Sequence, residues 1–154
     1  MKLALKKIAS DAETPRLRSV GRRWDQRDRL QVLLVEDDEA DAYLIRLALA
    51  KNARVGKVLL AEDGEEALQL LDGLQVQPDL ALIDLRMPRK DGLAFLGEIA
   101  NHQLSNLPCV VLSSSKSRKD VVCALQRGAR AFVFKPKTAT ELESALGRVV
   151  ATYA

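Results

Sequence analysis

Four apolar runs in this chain each end in residues able to do chemistry. Asp84 closes Leu80-Ala81-Leu82-Ile83. Glu36, Asp37 and Asp38 follow Val32-Leu33-Leu34-Val35, Ser113 and Ser114 follow Cys109-Val110-Val111-Leu112, and Lys135 follows Ala131-Phe132-Val133-Phe134. A charge left at the end of a buried strand is costly unless something binds it. Two carboxylates about 4 Å apart repel by roughly 4 kcal/mol at an effective dielectric of ~20, so three gathered in one place call for a cation or a proton. With oxygen donors and neither His nor Cys beside them, the hard ion Mg²⁺ is favoured, keeping several of its waters. Lys135 then offers a point charge, and Ser113 a hydroxyl donor, to phosphoryl oxygens. With the ion they would stabilise an in-line transfer to Asp84.

For these residues to meet, the runs must be strands of one sheet. From Gln31 onward short apolar strands alternate with amphipathic helices. Val32–Val35 reads as the first strand, and Asp38 to Lys51 as a helix with Ala40, Leu44, Leu47 and Ala48 on one face. Lys57–Leu60 is the second strand, and Asp63-Gly64-Glu65-Glu66 can cap a helix bearing Ala67, Leu70, Leu71 and Leu74. After the third strand, Leu80–Ile83, a helical stripe is carried by Leu93, Leu96, Ile99 and Ala100. The fourth strand is Cys109–Leu112, and its helix starts at Ser117 with Asp120 and stops at Gly128. Ala131–Phe134 is the fifth strand, and Thr138 with Glu141 opens a last helix through Leu142, Ala145, Leu146, Val149, Val150 and Tyr153. Five strands each followed by a helix predict an α/β fold, a doubly wound five-stranded parallel sheet with five helices. In such a sheet ligands bind outside the carboxyl ends of the strands, where the strand order reverses.

The length of 154 residues suits one domain, and no apolar run approaches the roughly 20 residues of a membrane span. The net charge of +3 is unevenly spread: residues 1–29 hold nine Lys and Arg against four acids, and the remainder 15 against 17. Residues 1–29 are therefore expected to form a basic arm, helical or disordered, or to stem from an upstream start codon, and residues 30–154 the domain. The arm has one aromatic, Trp24, and no recognisable nucleic-acid motif, so nucleic acid is not the expected partner. Cys109 and Cys123 lack metal-ligand spacing and are read as inert thiols in a reducing cytoplasm.

Val35-Glu36-Asp37-Asp38, Leu82-Ile83-Asp84-Leu85-Arg86-Met87-Pro88 with Asp91-Gly92, Leu112-Ser113-Ser114, and Phe132-Val133-Phe134-Lys135-Pro136 stand in order on successive elements. Together they resemble the receiver domains of two-component response regulators. The resemblance covers residues 30–154 and implies a flavodoxin-like fold of the receiver type. It implies that Asp84 accepts a phosphoryl group from a histidine kinase or phosphotransfer protein. Glu36, Asp37, Asp84 and the backbone carbonyl of Arg86 would hold Mg²⁺. Ser113 would be the switch hydroxyl, Lys135 the phosphate-binding lysine and Phe132 the aromatic switch residue, and the Lys135–Pro136 peptide is expected cis. Such a domain catalyses its own phosphorylation and slow dephosphorylation, has no separate enzymatic output, and signals by binding a downstream protein, with a homodimer as a further option. Three positions depart from the commonest family pattern. Phe132 lacks a tyrosine hydroxyl, Lys137 replaces an apolar residue, and Arg86 puts a long cation beside the acceptor.

Two other functions compete with this reading. A phosphohydrolase of the haloacid dehalogenase type also uses an Asp nucleophile and Mg²⁺, but it resembles a pattern with a second Asp where Arg86 stands. A nucleic-acid-binding regulator would work through the basic arm. Asp38 is read as a helix cap rather than a metal ligand, Asp91 with Gly92 as a turn signal and loop geometry, Ser114 as subordinate to Ser113, and His102 as a surface residue.

Overall fold

A computed structural model gives the structure of residues 28–73, 77–87, 90–101 and 106–154. The alternation in the sequence becomes five parallel strands: β1 (Leu30–Val35), β2 (Val55–Ala61), β3 (Leu80–Ile83), β4 (Cys109–Ser113) and β5 (Ala131–Phe134). They lie in the order β2-β1-β3-β4-β5. Five helices connect or follow them: α1 (Glu39–Ala50), α2 (Gly64–Gly73), α3 (Gly92–Ala100), α4 (Arg118–Gln126) and α5 (Ala139–Tyr153). The expected doubly wound fold is present.

Successive strand residues point to opposite faces, so each strand feeds two cores. Leu34, Leu82, Val110 and Leu112 face Ile45 and Leu49 of α1 and Leu142, Leu146 and Val150 of α5. Leu33, Val35, Ile83 and Val111 face Leu71 of α2, Phe95, Leu96 and Ile99 of α3, and Ala124 of α4. Burying each such Leu, Val, Ile or Phe contributes roughly 1.5–3 kcal/mol, and strands apolar on both sides are what this requires.

Helix starts are fixed by short polar side chains. Asp38 accepts from the Asp41 N–H at 2.8 Å, Asp91 from the Ala94 N–H at 2.8 Å, and Thr138 from the Glu141 N–H at 3.2 Å. Ser117 caps α4, and Asp63 accepts from the Glu66 N–H at 2.9 Å while Glu66 reaches back to the Glu62 N–H. Gly128, at φ 101°, ends α4 in the left-handed region that glycine enters without strain.

Several expectations need correction. The buried stripe of α1 is Ala42, Ile45, Ala48 and Leu49, whereas Ala40, Leu44 and Leu47 are exposed together with Tyr43. Both faces of this helix are apolar, so periodicity alone did not select between them. In α3 the stripe is Phe95, Leu96 and Ile99, with Leu93 partly buried and the terminal Ala100 exposed. The Lys135–Pro136 peptide is trans, as no cis peptide occurs among the described residues. Asp91 proves to be the cap of α3 rather than a plain loop residue. The arm up to residue 27, together with Leu74, Pro88 and His102, lies outside the described residues. Among those described, no helix is long and apolar enough to cross a membrane.

Candidate functional site

Sheet register sets the site. Val35 of β1 pairs with Ile83 of β3, so Glu36 and Asp84 leave neighbouring strands side by side at the point where strand order reverses. The backbone holds them there: the Asp84 N–H donates to Val35 O at 2.9 Å and the Glu36 N–H to Ala61 O at 3.0 Å. Carboxylate oxygens of Glu36, Asp37 and Asp84 all lie within 4.8 Å of one another. Glu36 and Asp84 are buried, while Asp37 is exposed at the rim. Three hard oxygen donors around one point, open to solvent on one side, fit a divalent ion that keeps part of its water shell.

Lys135 arrives from the end of β5, where its N–H donates to Ser113 O at 2.8 Å. Its Nζ donates to Glu36 Oε2 at 2.7 Å and to Asp41 Oδ2 at 2.8 Å, and stands 3.7 Å from Asp84 Oδ1. Ser113 is fully buried at the end of β4, and its Oγ accepts from the Ser115 N–H at 3.1 Å. Phe132 packs partly buried against the α2–α3–α4 side of the sheet, its ring 5.2 Å from that of Phe134. The structure thus brings Glu36, Asp37, Asp84 and Lys135 together, with Ser113 at an adjoining strand end.

Three contributors were not foreseen. Asp41 shares the Lys135 ammonium, and the hint available was its place three residues past the Asp38 cap. Gly92 lies so close that a Cβ there would sit 2.3 Å from Asp84 O and 2.9 Å from Leu85 Cα. Asp120 of α4 is the third: the exposed side chain of Arg86, expected to lend its backbone carbonyl to the metal and to put a long cation beside the acceptor, reaches Asp120 at 3.1 Å, and Ser115 Oγ donates to the same Asp120 oxygen at 2.5 Å. The Ser115 hydrogen bond, aided by Arg86 and working against desolvation, holds the Asp120 carboxyl below the usual range.

Burial pushes the Glu36 carboxyl up to about 7, against the opposing hydrogen bond from Lys135. Burial likewise raises Asp84, opposed by the Lys135 charge and assisted by Asp37, while the Leu85 and Arg86 N–H groups pull it down. Burial works against the Lys135 charge, yet Asp41, Glu36 and Asp84 outweigh it and hold the ammonium above the ordinary lysine range. Glu36 therefore binds a proton more tightly folded than unfolded. Its contribution to stability is fully present below pH 4.5 and is lost as pH rises through about 7. We expect the urea midpoint in chelator to be lower at pH 8 than at pH 6, and Mg²⁺ to raise it more at pH 8, where no proton must be displaced. Equal midpoints and equal Mg²⁺ effects at the two pH values would contradict this.

Residues 32–147 match the family model of the response regulator receiver domain. The chain belongs to the response regulator receiver family. Rcp1 of Synechocystis, a response regulator, is 31% identical over 72% of this chain and 80% of its own length. The two-component response regulator-like PRR73 of rice is 35% identical over 75% of this chain, which spans only 15% of that protein. Among solved structures, the phosphorylated cyanobacterial phytochrome response regulator RcpA superposes with a TM-score of 0.76 at 30% identity, covering 81% of this chain and 94% of RcpA. The Mn²⁺-bound form of Rcp1 gives 0.70 at 28% identity, covering 78% and 91%. As a receiver domain, the chain is a module of two-component phosphorelay signalling.

Proposed function

We propose that this receiver takes a phosphoryl group onto Asp84 from a histidine kinase or phosphotransfer protein, and signals by binding a protein partner in its phosphorylated form. The observation that carries the reading is the meeting of three carboxylates within 4.8 Å beside the Lys135 ammonium. Glu36, Asp37, Asp84 and the backbone carbonyl of Arg86 would hold Mg²⁺, which when bound neutralises charge on the transferring group. The Asp84 carboxylate, oriented by the Leu85 and Arg86 N–H groups, provides the attacking oxygen. Lys135 meets the charge that grows on the phosphoryl oxygens, and Ser113 and Phe132 are the pair whose rearrangement would report it. The domain would have no enzymatic output beyond forming and losing its own aspartyl phosphate. A homodimer remains one form the output could take.

RcpA is described as a phytochrome response regulator, which makes a phytochrome-class kinase the first donor to test. A cytoplasmic setting suits the two free thiols, of which Cys109 is buried and pushed up to about 12 by that burial. The basic arm of residues 1–29 is proposed as an extension separate from the receiver. The hydrolase alternative gains no support, since the position of its second Asp is held by Arg86, whose side chain pairs with Asp120. Incubation with acetyl phosphate and Mg²⁺, followed by intact mass, tests the proposal. One added phosphoryl group, absent when EDTA replaces Mg²⁺, is expected, and no mass gain in the presence of Mg²⁺ would refute it.

A further inference from the structure

Lys135 does not close on the acceptor carboxylate. Its Nζ stops 3.7 Å from Asp84 Oδ1, beyond hydrogen-bond distance, while making contacts of 2.7 and 2.8 Å to Glu36 and Asp41. An ammonium on a flexible four-carbon stem is free to swing toward the carboxylate that attracts it most. Asp41 restrains it from a fixed place. The Asp41 carboxylate belongs to the first turn of α1, and the Asp41 N–H is held by the Asp38 cap at 2.8 Å. Glu36 holds the ammonium from a strand end, and Asp41 adds a second hold from a capped helix start, on a different element from the other acids.

We propose that Asp41 is a positioning residue for phosphoryl transfer, tethering Lys135 short of Asp84 so that the acceptor oxygen stays free and the ammonium stands where phosphoryl oxygens arrive. The inference rests on Asp84 being the acceptor, as proposed above. In the transfer an Asp84 oxygen bonds to phosphorus as the bond from phosphorus to the donor's leaving atom breaks, the imidazole nitrogen of a phosphohistidine or the bridging oxygen of acetyl phosphate. The leaving atom keeps the electron pair, giving free histidine in the first case and acetate in the second. Negative charge on the transferring group is carried by its non-bridging oxygens, which lie one bond farther out than the attacking oxygen. A lysine already hydrogen-bonded to Asp84 would occupy a lone pair needed for attack, whereas one held back by Asp41 meets the new oxygens without competing for the nucleophile.

The test compares initial rates of phosphoryl incorporation from acetyl phosphate with Mg²⁺ in wild type, Asp41→Asn, Asp41→Ala, Asp41→Glu and Glu39→Gln. Removing the tether is expected to slow Asp41→Asn and Asp41→Ala by roughly tenfold, with Asp41→Glu restored to within about threefold of wild type. Glu39 is a second acid of the same helical turn and does not pair with Lys135, so Glu39→Gln is expected to react like wild type. Mg²⁺ affinity measured by calorimetry confirms that each variant retains its folded site. Crystals of the metal-free Asp41→Ala protein are expected to show Lys135 Nζ within about 3 Å of Asp84 Oδ1. A wild-type rate in Asp41→Ala, or equal slowing by Glu39→Gln, would overturn the tether. If wild type takes up no phosphoryl group, it is the acceptor assignment that fails. The crystal structure still decides the tether, because a Lys135 that has not moved overturns it.

Discussion

Replacing Asp84 with Asn is expected to abolish phosphoryl uptake while leaving the domain folded and, in metal-free buffer, at least as stable as wild type. The carboxamide has nearly the same shape but offers no anionic oxygen to attack phosphorus. Stability should hold because Asp84 is a buried acid beside Glu36 and Asp37, and its carboxyl is raised by burial above its usual range. Removing its charge relieves that cost, and the ion pair it forfeits with Lys135 is a long one at 3.7 Å. Loss of one of the three carboxylates proposed to hold the ion should also weaken Mg²⁺ binding, by about tenfold or more. Intact mass after acetyl phosphate, urea denaturation and calorimetric Mg²⁺ titration give the three readings. A variant that gains a phosphoryl group as readily as wild type would show the acceptor to be elsewhere.

The second large effect is expected at a residue with no side chain. A Cβ on Gly92 would lie 2.3 Å from Asp84 O and 3.0 Å from Asp84 C, both backbone atoms that cannot rotate aside. The Gly92 N–H also donates to Leu85 O at 3.0 Å, so the start of α3 and the backbone leaving Asp84 are bound together. Gly92→Ala must push one of them away. We expect a loss of roughly 2–3 kcal/mol of unfolding free energy, with a parallel fall in Mg²⁺ affinity and phosphorylation rate as the carboxylate is displaced. Gly147→Ala is the control: it lies inside α5 with nothing within 4 Å of the new carbon, and should be neutral or stabilise by about 0.5–1 kcal/mol. Equal urea midpoints for Gly92→Ala and wild type would show that the contact yields without cost.

How far the sequence foretold the molecule depends on what carried each residue. Glu36, Asp84, Ser113 and Lys135 could be found because each sits at or just past the end of an apolar strand, and a parallel sheet delivers all such ends to one edge. Strand positions followed the same logic, though β1 and β2 extend beyond their apolar centres to Leu30 and Val55. Helical contributors were harder. Asp41 and Asp120 matter only through the direction in which a helix face points, and α1 has apolar residues on both sides: Ile45 and Leu49 inward, Tyr43, Leu44 and Leu47 outward. Hydrophobic spacing cannot separate two such faces. Gly92 was read as turn chemistry, and its close approach to Asp84 depends on packing between elements that a linear pattern does not contain.

Arg86 and Asp120 give the molecule a short lever. One residue, Leu85, separates Asp84 from Arg86, whose guanidinium reaches the first turn of α4, and Ser115 grips that same Asp120 oxygen from the strand β4 side. Behind Asp84 the strand residues Leu82, Ile83 and Val111 are fully buried. The far end is lightly loaded: α4 buries one residue, Ala124, and leaves Val122 exposed. A change in backbone angle at Asp84 would therefore bear on the helix that buries the fewest residues of the five.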